Sequence, residues 1–365
     1  QNLTKSIRVN YNASNSNIVP NINGNQSDLN SSDIGIFDNF FNIGDPDYFN
    51  QNFSINYSLP FNLIPFLNFI DGSYNYSGDF NWQRGSDMLN NISSETGEVL
   101  GRVNTIQNAN TQNFSLSLNF DKIYRTIPWL NKNESIIPDL IKSLKRVRFN
   151  YSENSGKVLP GYIPSIGFLG TARPSIGFVF GNQSDIRYEA AKNGWLTDFP
   201  NFNQPFQQIF NSDFDFSGEL ELFNSIRIDL NANRRYSNNF SENFSVINNT
   251  YSALNPNYYG NFSISTNMLK TSFSRRDKNF SNSFEKMKNN RLIVAQRLIS
   301  QKNLNIINLD SDGFPIGFSK NSQEVLINSF LSAYLGKNPN DISLNPISKS
   351  PKLNWSLQYD GLSKL

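Results

Sequence analysis

The chain has 365 residues and a mass of 41.6 kDa, enough for two or three ordinary domains or one large β structure. Charged residues are sparse at 17 % and nearly balanced at +2, which gives no electrostatic case for a nucleic-acid partner. Cys and His are both absent, so disulfides, thiolate or imidazole catalysis and the usual zinc sites are excluded.

Alternation of apolar and polar residues predicts strands, in chain order, over Leu3–Ala13, Phe49–Phe61, Ser73–Arg84, Gln112–Tyr124, Leu144–Ser152, Pro174–Gly181, Ser212–Leu222, Ile226–Ser237, Tyr258–Ser274 and Leu353–Asp360. The chain carries ten Asn-aromatic-Ser triplets, from Asn52-Phe53-Ser54 to Asn354-Trp355-Ser356. Residues two apart in a strand share a face, so each triplet turns neutral polar groups one way and a ring the other. Aromatics reach 14 % while mean hydropathy is only −0.48, a pairing that suits a sheet between an apolar and a polar medium. Drift toward Asn in an AT-rich genome accounts for the abundance of Asn as well as selection for a neutral lining does. Most predicted strands run near the 9–11 residues, roughly, that cross a bilayer at a tilt. Trp82 and Trp355 lie near strand ends, where aromatic girdles sit and where core Trp is equally ordinary.

Two stretches break the rhythm. The segment 157–210 is punctuated by Pro160, Pro164, Pro174, Pro200 and Pro205 and by Gly residues, and reads as an ordered loop. Two helical patterns follow, Glu285–Gln301 and Ser322–Leu335, the second with Ser322 as cap and Gly336 as stop. They predict a helical insertion over 283–336. No run of about 20 apolar residues occurs, so no membrane helix is expected. The chain reads as a section of a longer polypeptide.

Other motifs have plain readings. The triplets are formal N-glycosylation acceptors, better explained by alternation. Asp310-Ser311-Asp312-Gly313 opens like a calcium loop, but further ligands do not follow and a polar turn is favoured. Gly156-Lys157 lacks the rest of a phosphate loop. Asp213, Asp215, Glu219 and Glu221 share a strand face and could suggest glycosidase carboxylates. Their ladder spacing, with Arg227, Asp229 and Arg235 on the next strand, reads instead as a wet face with cross-strand ion pairs. A three-residue Phe223-Asn224-Ser225 turn would keep the faces of that hairpin consistent. It sets Asp213 against Arg235, Glu221 against Arg227, and Glu219 against Asp229.

Several short motifs resemble the SprA/Sov family, the outer-membrane translocons of the type IX secretion system of Bacteroidetes. They are Leu159-Pro160-Gly161-Tyr162-Ile163-Pro164-Ser165, Phe178-Val179-Phe180-Gly181 and Gly194-Trp195-Leu196-Thr197. Tyr57-Ser58-Leu59-Pro60, Gly101 with Asn104–Asn108, Gly313-Phe314-Pro315, Asn321–Ile327, and Asn354-Trp355 with Gly361–Lys364 are similar too. The resemblance runs from about residue 40 onward, and the order of the motifs carries it. It implies a protein-conducting pore of secretion and gliding motility. Its implied partners are the rest of a SprA/Sov-type barrel, a PorV-like shuttle barrel, a periplasmic plug and cargo with a C-terminal signal. It implies no catalytic residue and no cofactor.

The sequence is thus expected to be all-β: an antiparallel transmembrane β-barrel wall segment in the outer membrane. Residues 1–282 would give strands and loops, 283–336 a helical extramembrane insertion, and 353–365 a returning strand. Asn56, Asn81, Ser115, Glu221, Arg227, Asp229 and Ser263 are expected to face the lumen. Tyr57, Phe80, Phe114, Phe216, Ile228 and Phe262 are expected to face lipid. Gly161, Tyr162, Pro164, Gly167, Gly170 and Trp195 belong to the expected gating or partner loop. The alternative reading is a secreted Asn-rich β-sandwich adhesin with its rings between two sheets; an enzyme is not expected.

Overall fold

A computed structural model describes residues 4–18, 45–86, 103–132, 136–167, 170–199, 202–222, 225–278, 280–301, 309–345 and 350–360. Gly101, Phe223, Asn224 and Gly361–Lys364 lie outside the described residues, as does Asn279 of one triplet.

The chain is mostly antiparallel β-sheet. Strands β1 (Ile7–Ile18), β2 (Asp45–Leu59), β3 (Ile70–Gln83), β4 (Asn104–Asn119), β5 (Leu144–Tyr162) and β6 (Phe206–Leu222) follow one another in space as in sequence. Each is antiparallel to the next. β7 (Ile226–Ile247) continues the sheet, pairing with β8 (Thr250–Ile264) and with β11 (Asn354–Tyr359). The sheet is nine-stranded, and no closed barrel is present among the described residues.

Register aligns rings from neighbouring strands across the sheet. Tyr57, Tyr74, Phe114, Tyr151 and Phe214 form one row over β2–β6 on the ring face. One residue over, Asn56, Asn75, Asn113, Ser152 and Asp213 form a row on the polar face. Beside this row Phe149 and Phe216, directly opposite each other, pack as a tilted ring pair with centroids 5.0 Å apart. Such cross-strand pairs contribute about 0.2–1 kcal/mol each and lock the register, because a one-residue slip would exchange the faces.

Strand lengths depart from expectation. β4, β5 and β7 run 16, 19 and 22 residues, well beyond the predicted 9 to 13. Short helices α1 (Phe120–Tyr124), α2 (Pro128–Lys132) and α3 (Ile136–Lys142) join β4 to β5, so the expected strand Gln112–Tyr124 begins earlier and ends at Asn119. Lys157–Tyr162 extends β5 and Phe206–Phe210 opens β6, which trims the expected 157–210 loop to 163–205. Within it Pro174–Gly181 is no strand. Ser175 accepts a hydrogen bond from Phe178 N at 3.1 Å and caps the single turn α4 (Ile176–Val179), which buries Phe178 and Val179 together. α5 (Arg187–Lys192) follows. The expected strand Tyr258–Ser274 is displaced to Thr250–Ile264, with a helical turn α6 (Leu269–Ser272) after it.

The chain divides into two compact units. The first comprises 1–229, 235–262 and 357–365; the second comprises 230–234 and 263–356. In the second, α6 leads to the β9 (Arg276–Asp277) and β10 (Phe280–Ser281) hairpin, then to α7 (Asn282–Gln301) and α8 (Gln323–Tyr334). Val294, Ala295, Leu298 and Ile299 of α7 pack with Phe314, Phe318 and Val325 as its core. Both predicted helices are therefore present. Ser322 holds the cap position, but its hydroxyl donates to Ser319 O instead of receiving a helix N–H. Gly336 ends α8 at φ +62 as expected, with Lys337 N donating to Ser332 O. Asp310 Oδ1 accepts from the N–H groups of Asp312 and Phe314, a polar turn.

Candidate functional site

The β5–β6 connection, residues 163–205, lies along the ring face as a strap, and it is built onto the sheet. Phe178, Val179, Ile186, Ala190, Ala191 and Leu196 from the strap share one core with Phe49, Phe80, Trp82, Ile106 and Leu159 from the strands. Fully burying each large side chain contributes about 1.5–3 kcal/mol. Phe80 meets Phe178 edge-on at 6.2 Å, and Phe53 meets Phe180 at 5.4 Å.

Seven consecutive strap carbonyls, from Phe178 to Ser184, each accept a hydrogen bond from a strand side chain. Gln51 on β2 donates to Val179 O at 3.0 Å and Tyr76 on β3 to Phe180 O at 2.7 Å. On β4, Asn108 donates to Phe178 O and Asn182 O, and Asn110 to Gly181 O. Lys157 on β5 donates to Gln183 O and Ser184 O. An unpaired carbonyl beneath this cover would cost about 1–3 kcal/mol, so the donors are what let irregular backbone lie flat on a sheet. Two glycines allow the closest approach. A Cβ on Gly78 would sit 2.3 Å from Phe180 O, and one on Gly181 (φ +93) would sit 2.8 Å from Gly78 Cα.

Arg187 anchors the far end of the strap. It pairs with Asp185 and with Glu242 on β7, whose side chain is 3 % exposed, and lies over the Phe206 ring at 4.6 Å. Tyr251 donates to the same Glu242 carboxylate at 2.7 Å. Burial alone would raise the Asp185 carboxyl. The Arg187 guanidinium hydrogen-bonded to it outweighs burial and holds it below the usual carboxylate range. A depressed folded pKa contributes stability above the unfolded value, about 3.9, that is lost as pH falls through the folded value. Protection of the strap amides, relative to exchange of the unfolded chain at the same pH, should therefore fall below about pH 4, and Asp185→Asn should remove that acid-dependent fall.

The expected loop residues gather here. Thr197 N donates to Gly161 O and Ile163 N to Trp195 O, so Gly161, Tyr162 and Trp195 stitch the strap's ends together. Pro164 O accepts from Trp82 Nε1 at 3.1 Å. Gly167 and Gly170 close a tight bridge, and Gly170 (φ +91) rests on the Phe49 ring. Phe80, expected to face lipid, is a correction: 0 % exposed, it is core beneath the strap, and Trp82, 2 % exposed, follows the core reading rather than the girdle one.

The residues expected on the lumen side divide by location. Asn56, Asn81 and Ser115 share the polar face. Arg227 reaches Glu219 at 3.4 Å and Asp229 at 3.0 Å, neutralising the like-charge pair expected there, while Glu221 meets Lys145 at 4.0 Å. Three residues separate β6 from β7, and Arg235 meets Asp213 at 3.7 Å, both as the hairpin register requires. Ser263 is exposed near the end of β8. Among the described residues no three His, Cys, Asp or Glu side chains converge as metal ligands. The donors Gln51, Asn108, Asn110 and Lys157 went unnoticed in the sequence. Their signal was polar residues at ring-face positions, where alternation demanded rings.

No family model matches this chain, and no curated protein matches it significantly.

Proposed function

We propose that the chain is a section of the wall of a protein-conducting outer-membrane barrel of the type IX secretion kind. The carrying observation is the uncovered half of the ring face. The row from Tyr57 to Phe214, with Leu116, Phe149 and Phe216 beside it, has no second sheet over it among the described residues. Phe114 and Tyr151 are each 37 % exposed. A β-sandwich adhesin would close a second sheet over that row, which argues against the alternative. An apolar band about 25 Å tall takes up about half of the 19-residue β5, which leaves the strap-covered half to project beyond the bilayer. Lipid-exposed irregular backbone does not occur in hydrocarbon, so this division also suits the strap.

On this reading Asn56, Asn81 and Ser115 line a neutral lumen that holds cargo of neither charge. The strap lies on the ring face, outside the pore, so its role is to dock a neighbour such as a PorV-like barrel rather than to plug the channel. Placing Arg at a lipid-facing site near mid-bilayer costs about 2–4 kcal/mol, and much less on the lumen side. Phe114→Arg should therefore block assembly into bilayers in the parent barrel, while Ser115→Arg assembles. Equal assembly of the two variants, or extraction of the chain from membranes without detergent, would overturn the reading. Deleting 165–172 should impair secretion in assembled barrels; normal secretion would remove the docking role alone.

A further inference from the structure

We propose that the second unit carries a lipid-headgroup site: the edge formed by α6, the β9–β10 hairpin and the start of α7 rests on the anionic surface of a phospholipid membrane. The inference rests on this unit alone and does not require the strands to span the bilayer.

The first observation is charge. Between Leu269 and Arg291 there are seven Lys or Arg and two acidic residues, against a balance of +2 for the whole chain. Glu285 is already paired with Lys288 at 2.7 Å, and Arg291 donates to carbonyls. Lys270, Arg275, Arg276, Lys278 and Lys286 are exposed and form no ion pair among the described residues; Asp277 is the single unpaired carboxylate beside them.

The second observation is apolar and independent of the first. Phe273 is 90 % exposed, Leu269 52 %, Phe284 48 % and Phe280 45 %. These side chains cannot fold away locally, because the segment is pinned. Thr271 Oγ1 donates to Tyr334 O at 2.6 Å, the Ser274 and Ser283 hydroxyls meet at 3.2 Å, and Asn282 N donates to Arg275 O. The Ser274–Ser283 contact joins the residues that adjoin Phe273 and Phe284 in the chain, and the hairpin sets Phe280 opposite Asp277.

Basic side chains without fixed partners, interleaved with protruding rings, match a headgroup layer. The layer supplies diffuse negative charge to the cations and an acyl boundary for the rings. An acidic protein would need a pocket for Phe273 as well as matched carboxylates. A membrane offers both in any rotational setting. Only four residues separate the end of β8 from α6 in the chain.

The chain contains no cysteine, so Phe273→Cys and, as a control elsewhere in the unit, Ile316→Cys (Ile316 is 66 % exposed) each create a sole thiol. The full chain is reconstituted in phosphatidylcholine bilayers with and without phosphatidylglycerol, and labelled with a water-soluble maleimide. Labelling at 273 should slow by about tenfold or more with phosphatidylglycerol and recover at high salt, with 316 unchanged. Adding Arg275→Glu, Arg276→Glu and Lys278→Glu should restore fast labelling; Lys286→Glu alone, less disruptive to folding, should restore part of it. Equal rates at 273 in both bilayers would overturn the proposal. So would protection in phosphatidylcholine alone, or protection that appears only when an acidic protein is added. Should the chain prove water-soluble, the same vesicles are added from outside, so failure of the barrel reading and failure of this site are separately visible.

Discussion

Replacing Arg187 with alanine should lower the stability of the first unit by about 3–5 kcal/mol, the usual cost of leaving one charge of a buried pair unpartnered. Glu242, with 3 % side-chain exposure, would keep only the Tyr251 hydroxyl at 2.7 Å. Four rings, Phe206, Phe240, Tyr188 and Tyr251, surround the guanidinium within 5.7 Å and would lose their flat cation. Arg187→Lys should recover little, since an ammonium cannot bridge Asp185 and Glu242 while lying flat on a ring. Arg187→Met with Glu242→Gln should recover much of the loss, because no unpaired charge then stays buried. Equilibrium denaturation with strap proteolysis as a second probe measures all three. If Arg187→Ala unfolds within about 1 kcal/mol of the parent chain, the pair is a surface bridge and the anchor assignment fails.

How far the sequence can be read depends on what lies against each face. Period-two alternation marked Ile226–Ser237 and Ser73–Arg84 because one face there is apolar and the other is wet. It could not tell which apolar surroundings the rings enter. Phe80 and Trp82 share a face with Tyr74, yet they lie under the strap while the Tyr57–Phe214 row that includes Tyr74 has no second sheet over it among the described residues. Alternation also fails where polar residues interrupt the ring face. Asn104–Thr111 and Lys157–Tyr162 carry Asn108, Asn110 and Lys157 on the ring face, since the strap presents carbonyls there instead of side chains. The second was expected as loop and the first fell outside the expected strands; both are strand. Pro174–Gly181 misled in the opposite sense: Ile176, Phe178 and Phe180 alternate with Gly177 and Val179, but Ser175 caps a helical turn before them. The β6–β7 hairpin was legible in part: Asp213 meets Arg235 as expected, whereas Arg227 turns to Glu219 and Asp229 and Glu221 to Lys145 instead of to each other. In the second unit α8 was legible because its cap position, apolar stripe and stop residue all agree locally, and α7 from its apolar spacing.

Giving Gly78 a side chain should lift the strap off the sheet. In Gly78→Ala the new Cβ falls 2.3 Å from Phe180 O and 2.8 Å from Phe180 C, which are backbone atoms that cannot rotate away. Overpacking of this kind costs about 1–3 kcal/mol. Gly181→Ala should cost more. Its Cβ meets Gly78 Cα at 2.8 Å, and φ +93 adds a left-handed strain of about 1–2 kcal/mol. Either shift moves Phe180 O away from Tyr76 and loosens neighbouring carbonyls from Asn110 and Asn108. Each such hydrogen bond contributes about 0.5–1.5 kcal/mol, so the losses compound along a row that depends on close contact. Hydrogen exchange should consequently rise over 176–184 while strand amides of β2–β5 stay protected. Gly72→Ala is the matched control, on the same strand and face, where the new Cβ meets the ends of the Leu59 and Phe61 side chains rather than backbone. If Gly72→Ala loosens the strap as much as Gly78→Ala does, the close crossing at Gly78 is not what holds it. If Gly78→Ala impairs secretion while Gly72→Ala does not, docking of the strap on the sheet is coupled to transport.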